Sequence, residues 1–148
     1  LGGNAQDWPH NHEFNCMQDV AAARIVFNSK VPLVELPCMG VVSSFTTTGP
    51  ELEYWLRGKN ELCNYLVDNT IAEAELMEES KCWSRVIWDV TAVAWLLDEN
   101  FMEERFIPCP IPEYDDRWGL DPNRHLIKYV YGINRDAIFE DLFKKLAK

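Results

Sequence analysis

Residues 19–37 read DVAAARIVFNSKVPLVELP, and this stretch predicts one helix followed directly by one strand. Asp19 precedes an apolar run with helical spacing, which is where a capping acceptor stands. Residues 31–37 form a short Val- and Leu-rich run with a proline near each end, which is typical of a buried parallel strand. The helix residues expected to share one apolar face are Val20, Ala23 and Phe27.

The same alternation of helix and strand continues through the rest of the chain. Strands are predicted at residues 105–111 and 124–133, and residues 84–97 (SRVIWDVTAVAWLL) should be a buried strand-to-helix or loop-to-helix segment. The predicted helices are a short one from Pro50 to about Gly58, one capped by Asn60 that runs to about Glu79, and a final one capped by Asn134. This pattern predicts an α/β fold with a largely parallel sheet, and without an internal repeat or linker we expect one domain over residues 1–148.

Composition and charge exclude several classes of protein. The net charge of the 148 residues is -10, and no basic stripe is present, so we expect no nucleic-acid polymer as partner. No apolar run approaches the roughly 20 residues needed to span a bilayer, and the opening residues lack a signal-peptide pattern. The five cysteines are odd in number and form no CxxC pair, so we expect buried thiols and a cytoplasmic location.

Two segments contain candidate functional residues. The first has Gly2-Gly3-Asn4, then HEFN at residues 12–15 and DVAA at residues 19–22, and the second is WDVTAVA at residues 88–94. In this order and spacing, together with the helix-to-strand run and the closing helix, they resemble the inosine/uridine-preferring nucleoside hydrolase family. The resemblance covers nearly the whole chain. It implies part of a mainly parallel, Rossmann-like sheet with flanking helices, and cleavage of the N-glycosidic bond of ribonucleosides.

The resemblance also assigns roles to individual residues. It implies that Glu13 and Asn15 bind the ribose and that Asp89 is a ligand of Ca²⁺, a cation that prefers oxygen donors. Asn4 corresponds to a further ribose contact, with Asn11 as the alternative because the loop length differs from that of the family. Asp89 stands within Val-Ile-Trp-Asp-Val, where burial of an unpartnered carboxylate would be costly, and a metal would relieve that cost.

Trp88 departs from the family pattern in an informative way. Many members have a histidine before this aspartate, as general acid for the leaving base, whereas the purine-specific branch has an aromatic residue that stacks on the purine. Trp88 therefore favours purine nucleosides, with an ordinary core tryptophan as the alternative. His10 and His12 also suggest a transition-metal site, but a two-apart pair with only the distant His125 to complete it favours exposed side chains.

The Asp-rich cluster that opens the family's sequences, DxDxxxDD in character, is not found in this sequence; its one comparable doublet is Asp115-Asp116, in an expected surface loop. We therefore expect residues 1–148 to be the C-terminal portion of such a domain, acting as a homo-oligomer or with the missing N-terminal half. Three functions remain open: part of a calcium-dependent, purine-leaning hydrolase; a non-catalytic remnant that binds nucleoside weakly or self-associates; or an unrelated α/β enzyme with Glu13 and Asp89 as acid and base.

Overall fold

The structure is a computed structural model that describes residues 1–77 and 82–148. Its helices are α1 (Phe14–Gln18), α2 (Val20–Asn28), α3 (Gly49–Leu56), α4 (Glu61–Met77), α5 (Val90–Leu97) and α6 (Arg135–Leu146), with short 3-10 turns at Val42–Ser44 and Glu99–Phe101. Its strands are β1 (Val34–Glu35), β2 (Thr46–Thr47), β3 (Arg85–Val86), β4 (Met102–Pro108), β5 (Ile111–Pro112), β6 (Trp118–Gly119) and β7 (Leu126–Ile133).

The predicted helix starts are confirmed by their capping bonds. The side chain of Asp19 accepts a hydrogen bond from the Ala22 N–H at 2.8 Å, which starts α2. Asn60 and Asn134 accept in the same way at the starts of α4 and α6. Such a bond satisfies one of the N–H groups that a helix leaves without a partner in its first turn. The predicted end of α4 near Glu79 lies outside the described residues.

The described residues form two compact units, each made of two chain segments. The first unit comprises Leu1–Ser44 and Trp88–Ile133, and the second comprises Phe45–Ile87 and Asn134–Lys148. The prediction that residues 1–148 make up the C-terminal portion of one domain stays a prediction. None of the helices in residues 1–77 and 82–148 combines the length and apolar character that crossing a membrane requires.

A three-stranded sheet of order β1-β7-β4 organises the first unit. β1 runs parallel to β7, with Val34 opposite Lys128, whereas β4 runs antiparallel to β7. The α/β class is confirmed, but this sheet is mixed and not mainly parallel. The reason is the connection from β4 to β7, which contains the β5–β6 hairpin and no crossover helix, so that β7 returns antiparallel to β4. The core against this sheet contains Phe27, Ile107, Cys109, Ile127 and Tyr129.

α5 differs from the prediction of a buried segment at residues 84–97. Only Thr91 and Ala94 of this helix are buried, while Val93, Leu96 and Leu97 are exposed. An apolar composition predicts burial only where another element covers each face, and in the described residues the outer face of α5 has no such cover.

The second unit contains α3, α4, α6 and the β2–β3 pair. Phe45 stacks on Phe139 with ring centroids 4.0 Å apart, and Phe139 stacks in turn on Phe143. Arg135 donates to the Thr46 carbonyl and pairs with Glu51, which connects the start of α6 to β2 and α3. Ile138, Phe139 and Phe143 are the buried residues of α6.

Candidate functional site

The side chain of Glu13 caps α1 and also accepts a hydrogen bond from the backbone of the Gly-Gly loop. Its Oε1 accepts from the Asn15 N–H at 3.0 Å, and its Oε2 accepts from the N–H groups of Gly3 at 2.8 Å and Cys16 at 3.1 Å. Burial raises the pKa of the Glu13 carboxyl, but these backbone donors outweigh it, and the pKa lies below its ordinary value of 4.5. Glu13 is therefore an ionised acceptor, which is the wrong state for a general acid.

Position 3 requires a glycine because of its backbone conformation and the residue that packs against it. Its φ is +72°, in the left-handed region that favours glycine, and a Cβ at this position would lie 2.4 Å from Cζ2 of Trp118. The indole Nε1 of Trp118 donates to the carbonyl of Asn4 at 2.8 Å. The loop is thus fixed by a tryptophan from β6, a contact that the sequence reasoning did not identify.

The two candidate asparagines have different positions. Both are buried, and the Asn4 N–H donates to Oδ1 of Asn11 at 2.8 Å. Asn4 lines the cavity described below, whereas Asn11 does not. The Asn4 amide donates to the His10 carbonyl and accepts from the Met39 N–H, so both of its polar atoms already hold the loop together. Asn11 therefore holds the backbone of Asn4 without lining the cavity.

Trp88 and Asp89 stand at the start of α5. Trp88 is half-buried, and its carbonyl accepts from Oγ1 of Thr91 at 2.7 Å. The expectation that Asp89 is buried is wrong: its side chain is exposed, because the chain turns into α5 at the surface of the unit. Asp89 occupies the cap position without a capping hydrogen bond from its side chain. Its carboxylate is therefore not used by the helix.

These segments surround one cavity of about 400 Å³, a volume within the usual range for small-molecule sites. It brings together five of the six residues that the sequence singled out, and it adds residues that sequence reasoning did not, including Cys38 and Met39 just after β1. The lining consists of Leu1, Asn4, His12, Glu13, Phe14, Asn15, Cys38, Met39, Trp88 and Asp89. Asn15 is exposed, and its Nδ2 donates to the Leu1 carbonyl at 3.3 Å.

The metal-binding capacity of the described residues is small. No group of three or more His, Cys, Asp or Glu side chains within residues 1–77 and 82–148 is arranged to hold a metal ion. This also leaves the suggested His10–His12 transition-metal site without support from the geometry. Calcium requires six to eight oxygen ligands. The exposed carboxylate of Asp89 can supply one position, so these residues do not by themselves form a calcium site.

His12 is instead paired with an acid. Its Nδ1 lies 2.9 Å from Oδ2 of Asp116, a residue expected only as part of a surface loop. Both side chains are substantially exposed. The pair lies at the edge of the cavity that His12 lines, and no sequence motif signals it, because the partners are 104 positions apart.

Glu35 is a second residue that sequence reasoning missed. It ends β1 inside the apolar run of residues 31–37, is only 3% exposed, and neither of its carboxylate oxygens has a hydrogen-bond partner in the described part of the chain. Burial raises its pKa to about 8. Cys16, Cys38, Cys63 and Cys109 are free and buried, as expected, and the thiols of Cys63 and Cys109 donate to the carbonyls of Leu146 and Phe27.

Comparison with known proteins places this geometry in a known fold. No protein-family model and no curated protein matches the sequence. Among solved structures, a plant nucleoside hydrolase matches with a TM-score of 0.79 and 17% identity, over 98% of this chain and 52% of that one. The inosine-uridine preferring nucleoside hydrolase from Bacillus anthracis matches with a TM-score of 0.63 and 17% identity, over 100% of this chain and 47% of that one.

This chain has the nucleoside hydrolase fold. The resemblance stated from the Gly-Gly loop, the Glu-Phe-Asn segment and the Trp-Asp segment is confirmed at the level of the fold. The chain spans about half the length of the solved structures that it matches.

Proposed function

We propose that this chain supplies the C-terminal part of the active site of a ribonucleoside hydrolase that cleaves the N-glycosidic bond to give ribose and a free base. The observation that carries the proposal is the convergence of Asn4, Glu13, Asn15, Trp88 and Asp89 on one cavity. The sequence resemblance assigned these five residues to one site, and they come from chain segments far apart.

Glu13 and Asn15 are proposed to bind the ribose hydroxyls. Oε2 of Glu13 already accepts two backbone hydrogen bonds, but Oε1 accepts one and keeps a lone pair for a hydroxyl donor. The lowered pKa keeps this acceptor ionised. Glycosidic cleavage passes through an oxocarbenium-like sugar, and a fixed carboxylate close to the ring favours that positive charge.

Trp88 is proposed to stack on the base, which makes the enzyme purine-leaning. The indole is half-buried at the cavity, so one part of it can be fixed while another contacts a ligand. A purine offers a larger ring face than a pyrimidine, and stacking of one base on an aromatic side chain contributes about 1–3 kcal/mol. Trp88 itself cannot serve as a proton donor to the leaving nitrogen, because an indole N–H is not acidic.

Ca²⁺ is proposed as the cofactor of the complete enzyme, with Asp89 as one of its ligands and the remaining ligands from outside this chain. Bound calcium would orient the ribose and lower the pKa of a coordinated water. The exposed, uncapped Asp89 carboxylate supports this role.

The second candidate function is nucleoside binding without hydrolysis, by a remnant that binds weakly or self-associates. The small donor set at the cavity favours it for residues 1–148 acting alone. The third possibility, with Glu13 as a general acid, is disfavoured because the pKa of Glu13 is lowered and its carboxylate caps a helix.

The test is hydrolysis of inosine, adenosine, guanosine and uridine by the protein at its natural length, with added Ca²⁺ and with a chelator. We expect calcium-dependent cleavage and faster turnover of the purines. Asp89→Asn removes one proposed ligand of the ion. It should therefore weaken Ca²⁺ binding and lower the activity, each by roughly 100-fold. Glu75→Gln removes one exposed carboxylate from α4 and should change neither.

The outcomes separate the candidates. Nucleoside binding by calorimetry without cleavage at saturating Ca²⁺ supports the binding-only function. Absence of both binding and cleavage overturns the proposal, and cleavage that is indifferent to chelator and to Asp89→Asn overturns the calcium role.

A further inference from the structure

The His12–Asp116 pair has the arrangement of an oriented acid–base group at the cavity. Nδ1 of His12 faces Oδ2 of Asp116 at 2.9 Å, which directs the other ring nitrogen, Nε2, away from the carboxylate. Among the described residues, Nε2 has no hydrogen-bond partner. A histidine held through one nitrogen by a carboxylate, with the other nitrogen free, can transfer a proton in a fixed direction.

The pair is held by backbone structure on both sides. Asp116 lies in the turn between β5 and β6, where the Glu113 N–H donates to the Arg117 carbonyl at 2.9 Å. Its φ of +61° is in the left-handed region, which aspartate tolerates better than most residues. The Asn11 N–H also donates to the Asp116 carbonyl at 2.6 Å. Together with the His12–Asp116 contact itself, two bonds therefore join this turn to the segment that carries His12.

The groups around the imidazole are few. His12 precedes Glu13 in the chain, and its backbone N–H donates to Nδ1 of His10 at 3.3 Å. The His10 and His12 rings lie edge-on, with centroids 6.4 Å apart. His12 and Glu13 line the cavity, as does Asp89, whereas His10 does not. His12 is therefore the one imidazole with access to a ligand in this cavity among the described residues.

We propose that His12, oriented by Asp116, is the general acid that protonates the departing base. This inference rests on the proposed function and deepens it. It assigns to His12 the proton donation that Trp88 cannot perform. The two residues therefore have different roles at the leaving base. Trp88 contacts the face of the base, and His12 donates to a nitrogen on its edge. Asp116 is a positioning residue, since it acts through His12.

The proton and electron balance is simple. The C1′–N bond breaks, and its electron pair goes to the base nitrogen. Protonated His12 gives the proton on Nε2 to a second ring nitrogen of the base, which leaves as a neutral molecule. Water adds its oxygen to C1′ and releases one proton, which restores protonated His12 through solvent. The net reaction is nucleoside plus water to ribose plus base.

The experiment compares two substrates of the protein at its natural length. Inosine has a leaving group that needs a proton, whereas 4-nitrophenyl β-D-riboside has one that departs as a stable phenolate without a proton. His12→Gln should lower kcat/KM for inosine by roughly 100-fold, the usual contribution of a general acid, and leave kcat/KM for the nitrophenyl riboside nearly unchanged. His10→Gln is the matched control and should change neither value.

Asp116→Asn should lower inosine cleavage by about tenfold, again without loss on the nitrophenyl riboside, because the ring loses its orienting charge but not its acid. Asp115→Asn, which alters the neighbouring exposed carboxylate, is its control. If either residue has a purely structural role, its replacement should lower kcat/KM for both substrates together. That result overturns the inference. Equal activity of His12→Gln and the unmodified protein on inosine also overturns it. If the unmodified protein cleaves neither substrate, the proposed function fails and the inference fails with it.

Discussion

Oε2 of Glu13 accepts a hydrogen bond from the backbone N–H of Gly3 at 2.8 Å, which ties the Gly-Gly loop to the first turn of α1. The same carboxylate caps α1 through Asn15 and Cys16. One buried side chain therefore fixes the backbone of the loop that carries Asn4 and His12, while it also stands at the cavity.

Replacement of Glu13 should destabilise the protein as well as impair binding. Glu13→Ala leaves the N–H groups of Gly3, Asn15 and Cys16 without this acceptor, and we expect a loss of about 2 kcal/mol in the free energy of unfolding. Urea denaturation at neutral pH measures it. Glu75→Ala, an exposed position on α4, should stay within about 0.5 kcal/mol of the unmodified protein.

The contribution of Glu13 should also depend on pH. Its folded pKa lies below the ordinary 4.5, so the stabilisation is complete above 4.5 and is lost as the pH falls through the folded pKa. The difference in stability between the unmodified protein and Glu13→Gln should therefore shrink in acid. A difference that stays constant across the acid range would contradict this account.

Gly3 and Gly58 form a matched pair for testing backbone strain. Both have positive φ, +72° and +75°, but a Cβ on Gly3 would overlap Trp118, whereas a Cβ on Gly58 meets nothing within 4 Å. Gly58→Ala should cost about 1 kcal/mol, from the left-handed conformation alone. Gly3→Ala should cost roughly 3 kcal/mol, since the indole must also move. Thermal unfolding compares them, and equal costs would argue against the Trp118 contact.

Glu35 should make stability fall as the pH rises. Its pKa is 4.5 ordinarily and about 8 in the fold, so the folded state retains a proton that the unfolded state releases. The cost is small below 4.5, grows as the pH rises towards 8, and is constant above that value. Glu35→Met removes the carboxyl and should stabilise the protein by roughly 3 kcal/mol at neutral pH.

Glu35→Gln separates the charge from the polar group. It keeps a buried polar side chain of the same shape but cannot ionise, so the pH dependence should disappear while part of the desolvation cost remains. Denaturant unfolding at several pH values between 4.5 and 8 measures both variants. If Glu35→Gln shows the same pH dependence as the unmodified protein, another group is responsible.

Trp88 provides a test of base preference that does not require catalysis. If the indole stacks on the base, Trp88→Leu should weaken inosine binding by roughly tenfold or more, and Trp88→Phe should weaken it less. Uridine, with a smaller ring face, should lose less affinity than inosine in both variants. Titration calorimetry measures this difference, with Trp8→Leu, outside the cavity, as control. Equal losses for inosine and uridine would indicate that Trp88 only packs the cavity wall.

Local hydrogen bonds explain which parts of the fold the sequence could predict. Asp19, Asn60 and Asn134 each accept from an N–H three residues further along, so the residue type and the following pattern suffice to locate the helix starts. The Gly-Gly loop, the Glu-Phe-Asn segment and the Trp-Asp segment likewise carried a resemblance that the fold confirms.

The sequence by itself determined the α/β class, the starts of the helices capped by Asp19, Asn60 and Asn134, and five of the residues that line the cavity, because these follow from periodicity, capping and an ordered motif. Only the tertiary structure decided that Asp89 is exposed, that Glu35 is buried without a partner, that β4 returns antiparallel to β7, and that His12 meets Asp116. Burial and pairing depend on which distant segments pack together, and no local pattern of residues encodes a contact across 104 positions.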